Sequence, residues 1–488
     1  MAFRYGDRNQ ITFLPDSIER YVGVNDPVRV YDAFINALNI RDIGLIYNNN
    51  SVGNSSYDPL SMLKILVYAY SYGWRSSRKI ERALHHNLSF IWIAGGLKPD
   101  HKTISRFRKD NKKVLHNVLK QNARMCLKLG IIEGNTLFVD GSKIRANAGK
   151  SQTKSKETWE KYKGHVETRI KELLNECETI DQSEHESLIK VNKELHSKKK
   201  LKSKIDELLQ EMEEESSDKI NGTDPDSKIM KGRQGSHSAY NCQIVTDASN
   251  GLIVNTEATS AMNDLNQMTR QIETAEEILE KESEINCADA GYSSVDDLKD
   301  LIEKGRTVIV PNNEQAKHEK KEGDEDSFAK HLFEYNSEQD SYTCPAGHKL
   351  YRKSERKENN RTRFEYRFKN TTTCRNCKHF GKCTTSKTGR RIYRLLNEET
   401  REELKTIYES DEGQAIYKTR KMFVEHPFGH MKQNLGVKSF LLRRLDGAQT
   451  ELCLLGTCFN LARMVTLMGG VPSTVEKLKK MALNYALE

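Results

Sequence analysis

The sequence predicts an α/β protein, with a mixed sheet and flanking helices, a helical N-terminal segment and two insertions. Three observations predict it. Between positions 135 and 310, short apolar runs bounded by turn residues alternate with helix-length amphipathic stretches. Residues 1–125 read as mostly helical. Two blocks then break the pattern, 153–218 by density of charge and 312–395 by cysteines. With 488 residues the chain is long enough for several domains and a large core.

In the N-terminal part, Pro59 opens a helix that is apolar nearly all round to Val67 and so belongs inside. Ser77 is placed to cap a helix over residues 78–84. After a turn at Gly95-Gly96, Asp100 is placed to cap a helix over residues 101–109. The second of these carries Lys102, Arg106, Arg108 and Lys109, and the pair resembles a DNA-reading helix-turn-helix. The bland alternative is a helical subdomain with a basic exposed face.

A strand over 135–146 follows, interrupted at Asp140 in Leu137-Phe-Val-Asp140-Gly-Ser142. The block 153–218 reads as an antiparallel helical hairpin, with Leu201, Ile205, Leu208 and Met212 at coiled-coil-like spacing. Tyr240–Asp247 and Leu252–Thr256 form a strand pair around Ser249-Asn250-Gly251. Next come a helix over 264–281, a strand ending in Asp289-Ala-Gly-Tyr292, a helix over 295–304 and a strand over 307–310. Three antiparallel strands, helix, strand, helix, strand is the order of a ribonuclease H-like core. The organisation is therefore a helical DNA-binding domain, 1–130, and a ribonuclease H-like catalytic core, 131–311 with 396–488, carrying the charged insertion. A cysteine-rich β insert occupies 312–395.

In that insert Phe364, Tyr366 and Phe368 alternate with Arg363, Glu365 and Arg367, as in a strand with one apolar face. Cys374 and Cys377 have the spacing of two ligands on one tetrahedral zinc. Cys344 and Cys383 complete a set of four, with His348 and His379 as alternative ligands. A block with so little core of its own gains from a structural metal. The alternative is a set of reduced, unligated cysteines. Cys126, Cys177, Cys242, Cys287, Cys453 and Cys458 sit mostly in apolar settings and read as packing residues.

The net charge of +9 suits a polyanionic partner. From Lys418 to Arg444, seven Lys and Arg surround a single acid, Glu425, which marks a phosphate-facing surface. No stretch reaches 18 apolar residues, and the N-terminal residues lack the apolar core of a secretion signal. The expected location is a reducing, cytoplasmic one.

Three acidic residues stand in distinctive settings: Asp140, Asp289 and Glu425. Three converging carboxylates can hold two divalent metals for in-line attack on a phosphodiester. Asp226, Asp247 and Asp264 are competitors, with Asp247 read as a turn cap and Asp264 as a helix N-cap.

Phe138-Val-Asp140-Gly-Ser142, Ala288-Asp289-Ala-Gly-Tyr292 and the set Tyr417, Arg420, Glu425 and Lys432 together resemble the DDE transposases of bacterial insertion sequences. The usual signature has three residues between arginine and glutamate. Here there are four, so either Arg420 or Lys421 is the phosphate contact.

The resemblance implies Mg²⁺ or Mn²⁺ held by Asp140, Asp289 and Glu425, with Tyr417, Arg420 and Lys432 on DNA. It also implies cleavage and strand transfer at terminal inverted repeats by a dimer on DNA. Helical spacing predicts that Tyr417, Arg420 and Glu425 share one face. The rival readings are a metal-dependent nuclease of the same fold, or a non-catalytic DNA-binding descendant of a transposase. A neutral residue at 140, 289 or 425 would have favoured the last.

Overall fold

The computed structural model describes residues 17–46, 57–179, 185–232, 235–312, 315–318, 328, 330–358 and 361–487. The N-terminal residues read above for a secretion signal, and the side chain of Cys177, lie outside the described residues. Contacts divide the chain into two units, residues 1–287 with 419–488, and residues 288–418.

The first unit begins with helices at Val28–Asn36, Ile40–Ile43, Pro59–Ser71, Ser77–His86, Leu88–Ile93, His101–Asp110 and Lys112–Lys128. Pro59 sits at the first turn of its helix, and Asp58 accepts from the Ser61 N–H at 2.8 Å. That helix is buried along most of its length, as its apolar sequence requires. Ser77 is inside its helix and Ser76 holds the cap position, one residue earlier than expected. Asp100 does cap, accepting from the Thr103 N–H at 2.7 Å. The short helix Leu88–Ile93 intervenes between the two basic helices, so they are not joined by a single turn.

The sheet contains β1 (Thr136–Arg145), β4 (Lys228–Gly232), β5 (Gly235–Asp247), β6 (Ile253–Thr259) and β7 (Ile285–Cys287). A separate small ladder joins β2 (Thr153–Ser155) to β3 (Lys219–Asn221). The long strand β5 pairs antiparallel with β4, β1 and β6, and β1 pairs parallel with β7. Asp140 does not interrupt β1. Asp140 lies opposite Ile244 and Gly141 opposite Gln243, and that pairing carries the strand through to Arg145. The turn after β5 forms as read: Gly251 has φ +67°, and Asp247 accepts from the Ser249 N–H at 3.0 Å.

The helix after β6 is Met268–Leu279, so Asp264 is not its N-cap. Asp264 instead accepts from Asn241 and Gln243, each at 2.8 Å. It fills the space over Gly141, on the face of β1 opposite to Asp140. The apolar helix Leu445–Leu467 packs against β6 and the helices Lys112–Lys128 and Pro59–Ser71, which makes it the centre of this core. Cys126, Cys242, Cys287, Cys453 and Cys458 are all buried packing residues.

Between β1 and β4 stands a hairpin of the helices Lys156–Thr179 and His185–Glu214. Ion pairs Lys156–Glu213, Lys163–Asp206 and Arg169–Glu194 step along it in opposite directions, so the two helices are antiparallel. Trp159, Val166, Ile205, Leu208, Met212 and Ile220 form its core. Leu201 is 43% exposed and falls outside that seam. At the base, the Gly222 N–H donates to the Gln152 carbonyl at 3.0 Å, and Asn221 Nδ2 donates to the Gly149 carbonyl at 3.0 Å.

The second unit holds the helix Val295–Glu303, β8 (Thr307–Ile309) and the helix Glu398–Glu409. It also holds an antiparallel sheet of β9 (Glu334–Asn336), β10 (Ser341–Thr343), β11 (Lys349–Glu358), β12 (Arg361–Arg367) and β13 (Ile392–Leu395). The strand order is β13-β12-β11-β10-β9. Its apolar face gathers Phe333, Tyr342, Leu350, Tyr366 and Ile392. Among the described residues no single helix is long and apolar enough to cross a membrane.

Candidate active site

Strand β1 sets the first carboxylate. Asp140 and Ser142 are two residues apart on an unbroken strand, so their side chains leave the same face. Opposite that face runs the helix Asp411–Gly429, whose residues from Thr419 onward belong to the first unit. Phe423 stacks on Phe138, with ring centroids 5.8 Å apart and planes 17° from parallel. Val424 and Phe428 are buried beside it. These apolar contacts fix the register of the helix along β1.

Two cations then reach β1. Arg420 Nη1 lies 3.4 Å from Asp140 Oδ1, with side chains 8% and 19% exposed. Lys432 Nζ donates to Ser142 Oγ. Pro427 lies within the helix, and the backbone continues as a π-helical turn, His430–Asn434, which carries Lys432. Ser142 had no role in the sequence reading; its signal was the two-residue offset from Asp140 on a strand.

Glu425 is exposed, whereas Arg420 is 7% exposed and turned inward. Five residues on an α-helix correspond to a rotation of about 140° from the nearest whole turn. The expectation that Arg420 shares a face with Glu425 is therefore corrected. Lys421, exposed and four residues before Glu425, is the cation on the glutamate's own face.

In the second unit, Asp289 lies two residues past the end of β7 and caps a short 3₁₀ turn, accepting from the Gly291 N–H at 2.8 Å. Tyr417 packs edge-on against Tyr408, with centroids 5.1 Å apart. Of the competitors, Asp247 is tied to the Glu133 and Gly134 N–H groups as well as to its turn. Asp226 pairs with Arg444 at 2.8 Å.

Arg108 is not a DNA contact. It is 5% exposed and donates to the Arg75 carbonyl at 2.7 Å and to Tyr70 Oη at 3.1 Å. Lys102 and Arg106, on the same helix, are exposed.

The four cysteines of the insert, Cys344, Cys374, Cys377 and Cys383, line one cavity together with His348 and His379. Tight turns present them: the Gly347 N–H donates to the Cys344 carbonyl, and the Cys377 N–H to the Cys374 carbonyl. Burial pushes the Cys374 and Cys383 thiols up, and the neighbouring sulfurs add to the rise. Four thiols lining one cavity are a donor set suited to a soft dication. Among the described residues, however, no group of three or more His, Cys, Asp or Glu stands in a metal-holding arrangement, either here or at the carboxylates.

Residues 16–110 match a family model described as a transposase domain of the DUF772 type. Residues 343–465 match one described as a transposase DDE domain. No curated protein matches the chain.

Proposed function

The chain belongs to the DDE transposases, and from that membership we propose that it cuts DNA at the ends of its own insertion sequence and transfers the freed 3′ ends to a target. The observation that carries the reading is the meeting of Asp140, Arg420, Ser142 and Lys432 on one face of β1, beside the helix that presents Glu425. A carboxylate flanked by two phosphate-binding cations suits a phosphodiester substrate.

In this reading the core is ribonuclease H-like. Asp140, Asp289 and Glu425 hold two Mg²⁺ or Mn²⁺ ions. Such ions activate the attacking oxygen and stabilise the leaving one. Arg420 orients Asp140, and Lys421 and Lys432 take phosphates. Tyr417 adds a contact to the DNA backbone.

Lys102 and Arg106 bind the terminal repeats. Two ends must be held together, so the working form is a dimer on DNA. Cys344, Cys374, Cys377 and Cys383 close on a structural zinc.

The test is single-turnover cleavage of a labelled terminal-repeat duplex in Mg²⁺. Asp140→Ala, Asp289→Ala and Glu425→Ala should each remove cleavage and leave end binding within about twofold, because uniform binding does not depend on the reacting groups. Equal loss of binding and cleavage would make the three residues structural. Cleavage without joining by the wild type would favour the nuclease reading.

A further inference from the structure

The outer face of the sheet β9–β13 has no part in the chemistry above. Alternation along β12 sorts its side chains. Phe364 and Tyr366 face the apolar cluster, so Arg363, Glu365 and Arg367 occupy the other face. The pairing register extends that face to the neighbouring strands. Tyr351 lies opposite Arg367, Ser354 opposite Glu365 and Arg356 opposite Arg363 on β11. Tyr393 lies opposite Glu365 on β13.

Aromatic rings and cations therefore interleave on one surface. Lys369 Nζ is 4.3 Å from the Tyr351 ring centroid, and Arg363 Cζ is 5.8 Å from that of Tyr393. Tyr393 is 36% exposed, and Arg356, Arg363 and Lys369 are exposed.

A buried carboxylate organises the surface from below. Glu365 is 2% exposed and accepts from Arg367 Nε at 2.8 Å, Ser354 Oγ at 3.1 Å and Tyr393 Oη at 3.3 Å. Arg391 Nη1 stands 3.7 Å away. The hydrogen bonds hold the Tyr393 ring and the Arg367 guanidinium in place, with the Arg391 charge alongside.

We propose that this face binds single-stranded DNA, with bases stacked on Tyr393 and Tyr351 and phosphates on Arg356, Arg363 and Lys369. A basic surface alone suits any duplex backbone, but the exposed Tyr393 ring and the half-buried Tyr351 ring add affinity only for bases that have left the stack. Acidic peptides would match the charge and leave the rings unused. The proposal rests on the DNA-cutting reading only for the source of the strand, which is the unpaired DNA that cleavage and transfer expose.

The experiment uses the full chain in EDTA and a fluorescein-labelled oligo-dT of about 12 nucleotides, within the usual span of such sites. Anisotropy should show strand binding that weakens at least about tenfold in Tyr351→Ala/Tyr393→Ala, as loss of stacking predicts. Tyr393→Phe keeps the ring and should bind nearly as wild type, which separates stacking from folding. Arg363→Ala should reduce the slope of log affinity against log salt by about 0.7.

Wild-type affinity in the double alanine variant would overturn the proposal, as would absence of strand binding by the wild type. Asp140→Asn should retain strand binding while losing cleavage. If the wild type cuts nothing yet binds the strand through its tyrosines, the reaction assignment fails and this one stands.

Discussion

Arg75 and Glu451 form an ion pair inside the first unit, Nη1 to Oε2 at 2.9 Å, with side chains 9% and 0% exposed. The other carboxylate oxygen accepts from the Leu441 and Leu442 N–H groups, at 2.6 and 2.5 Å. Arg75 also donates to the Ser439 carbonyl at 2.8 Å. The pair thus ties the N-terminal helices to the segment that follows Lys432. Removing one partner leaves an uncompensated buried charge, so Arg75→Ala should lower stability by about 3–5 kcal/mol in urea unfolding. A loss under 1 kcal/mol would show that water reaches the pair.

The basic helix His101–Asp110 should respond to mutation in two different ways. Lys102→Ala and Arg106→Ala remove exposed cations and should weaken binding of terminal-repeat DNA with little change in melting temperature. Arg108→Ala removes a buried hydrogen-bonded cation and should destabilise the fold by about 1–3 kcal/mol. An Arg108→Ala protein of wild-type stability with impaired DNA binding would contradict its buried role.

Gly141→Ala is the mildest available disturbance of Asp140. A methyl group there meets the Asp264 carboxylate, and lies 2.8 Å from Gln243 Nε2. Asp264 and Gln243 hold each other at 2.8 Å, and if they stay in place β1 must shift, which should cost about 1–3 kcal/mol of stability. Single-turnover cleavage should fall further than the stability loss explains, because Asp140 moves with the strand. Unchanged cleavage would mean that Asp264 and Gln243 give way instead.

The insert should carry a pH signature. Burial pulls the Glu365 carboxyl up, but hydrogen bonds from Arg367 and Ser354 and the Arg367 charge outweigh it, so its pKa lies below the ordinary 4.5. A depressed folded-state pKa gives stability that is present above 4.5 and lost as pH falls from there through the folded value. Hydrogen exchange of β11–β13 amides should accelerate over that window, and Glu365→Gln should flatten the response. A response centred above pH 5 would point to another group.

Zinc content decides the cysteine cavity. Purified protein should contain close to one zinc per chain by elemental analysis, and a Cys374→Ser/Cys377→Ser variant should lose it together with protection of the β9–β13 amides. A metal-free protein with a stable insert would leave the thiols as packing groups.

Much of this was legible in the sequence, where local pattern and burial agree. The alternation of Phe364 and Tyr366 gave β12, and Asn250-Gly251 gave the turn after β5. Charge without helical phase misplaces Arg108: Ile104 lies four residues earlier on the same helical face and is 1% exposed. The Arg420–Glu425 angle was likewise contained in the spacing. The role of Asp264 was not legible, since it lies in the connection after β6 and its partners Asn241 and Gln243 lie on β5. Nor did Gly141-Ser142, which reads as a strand end, reveal that β5 continues the pairing.

The clasp at the foot of the helical hairpin bears on how the molecule folds. Strand β1 must find β5 across the whole hairpin, and closing a long loose loop is entropically costly and slow. The ladder β2–β3 and the Gly222–Gln152 bond hold the two ends of that excursion together, so a clasp formed early would shorten the loop. For the search that joins β1 to β5, the intervening chain then behaves as a short connection. Natural variation in the length of the hairpin would accordingly leave the geometry around Asp140 almost untouched.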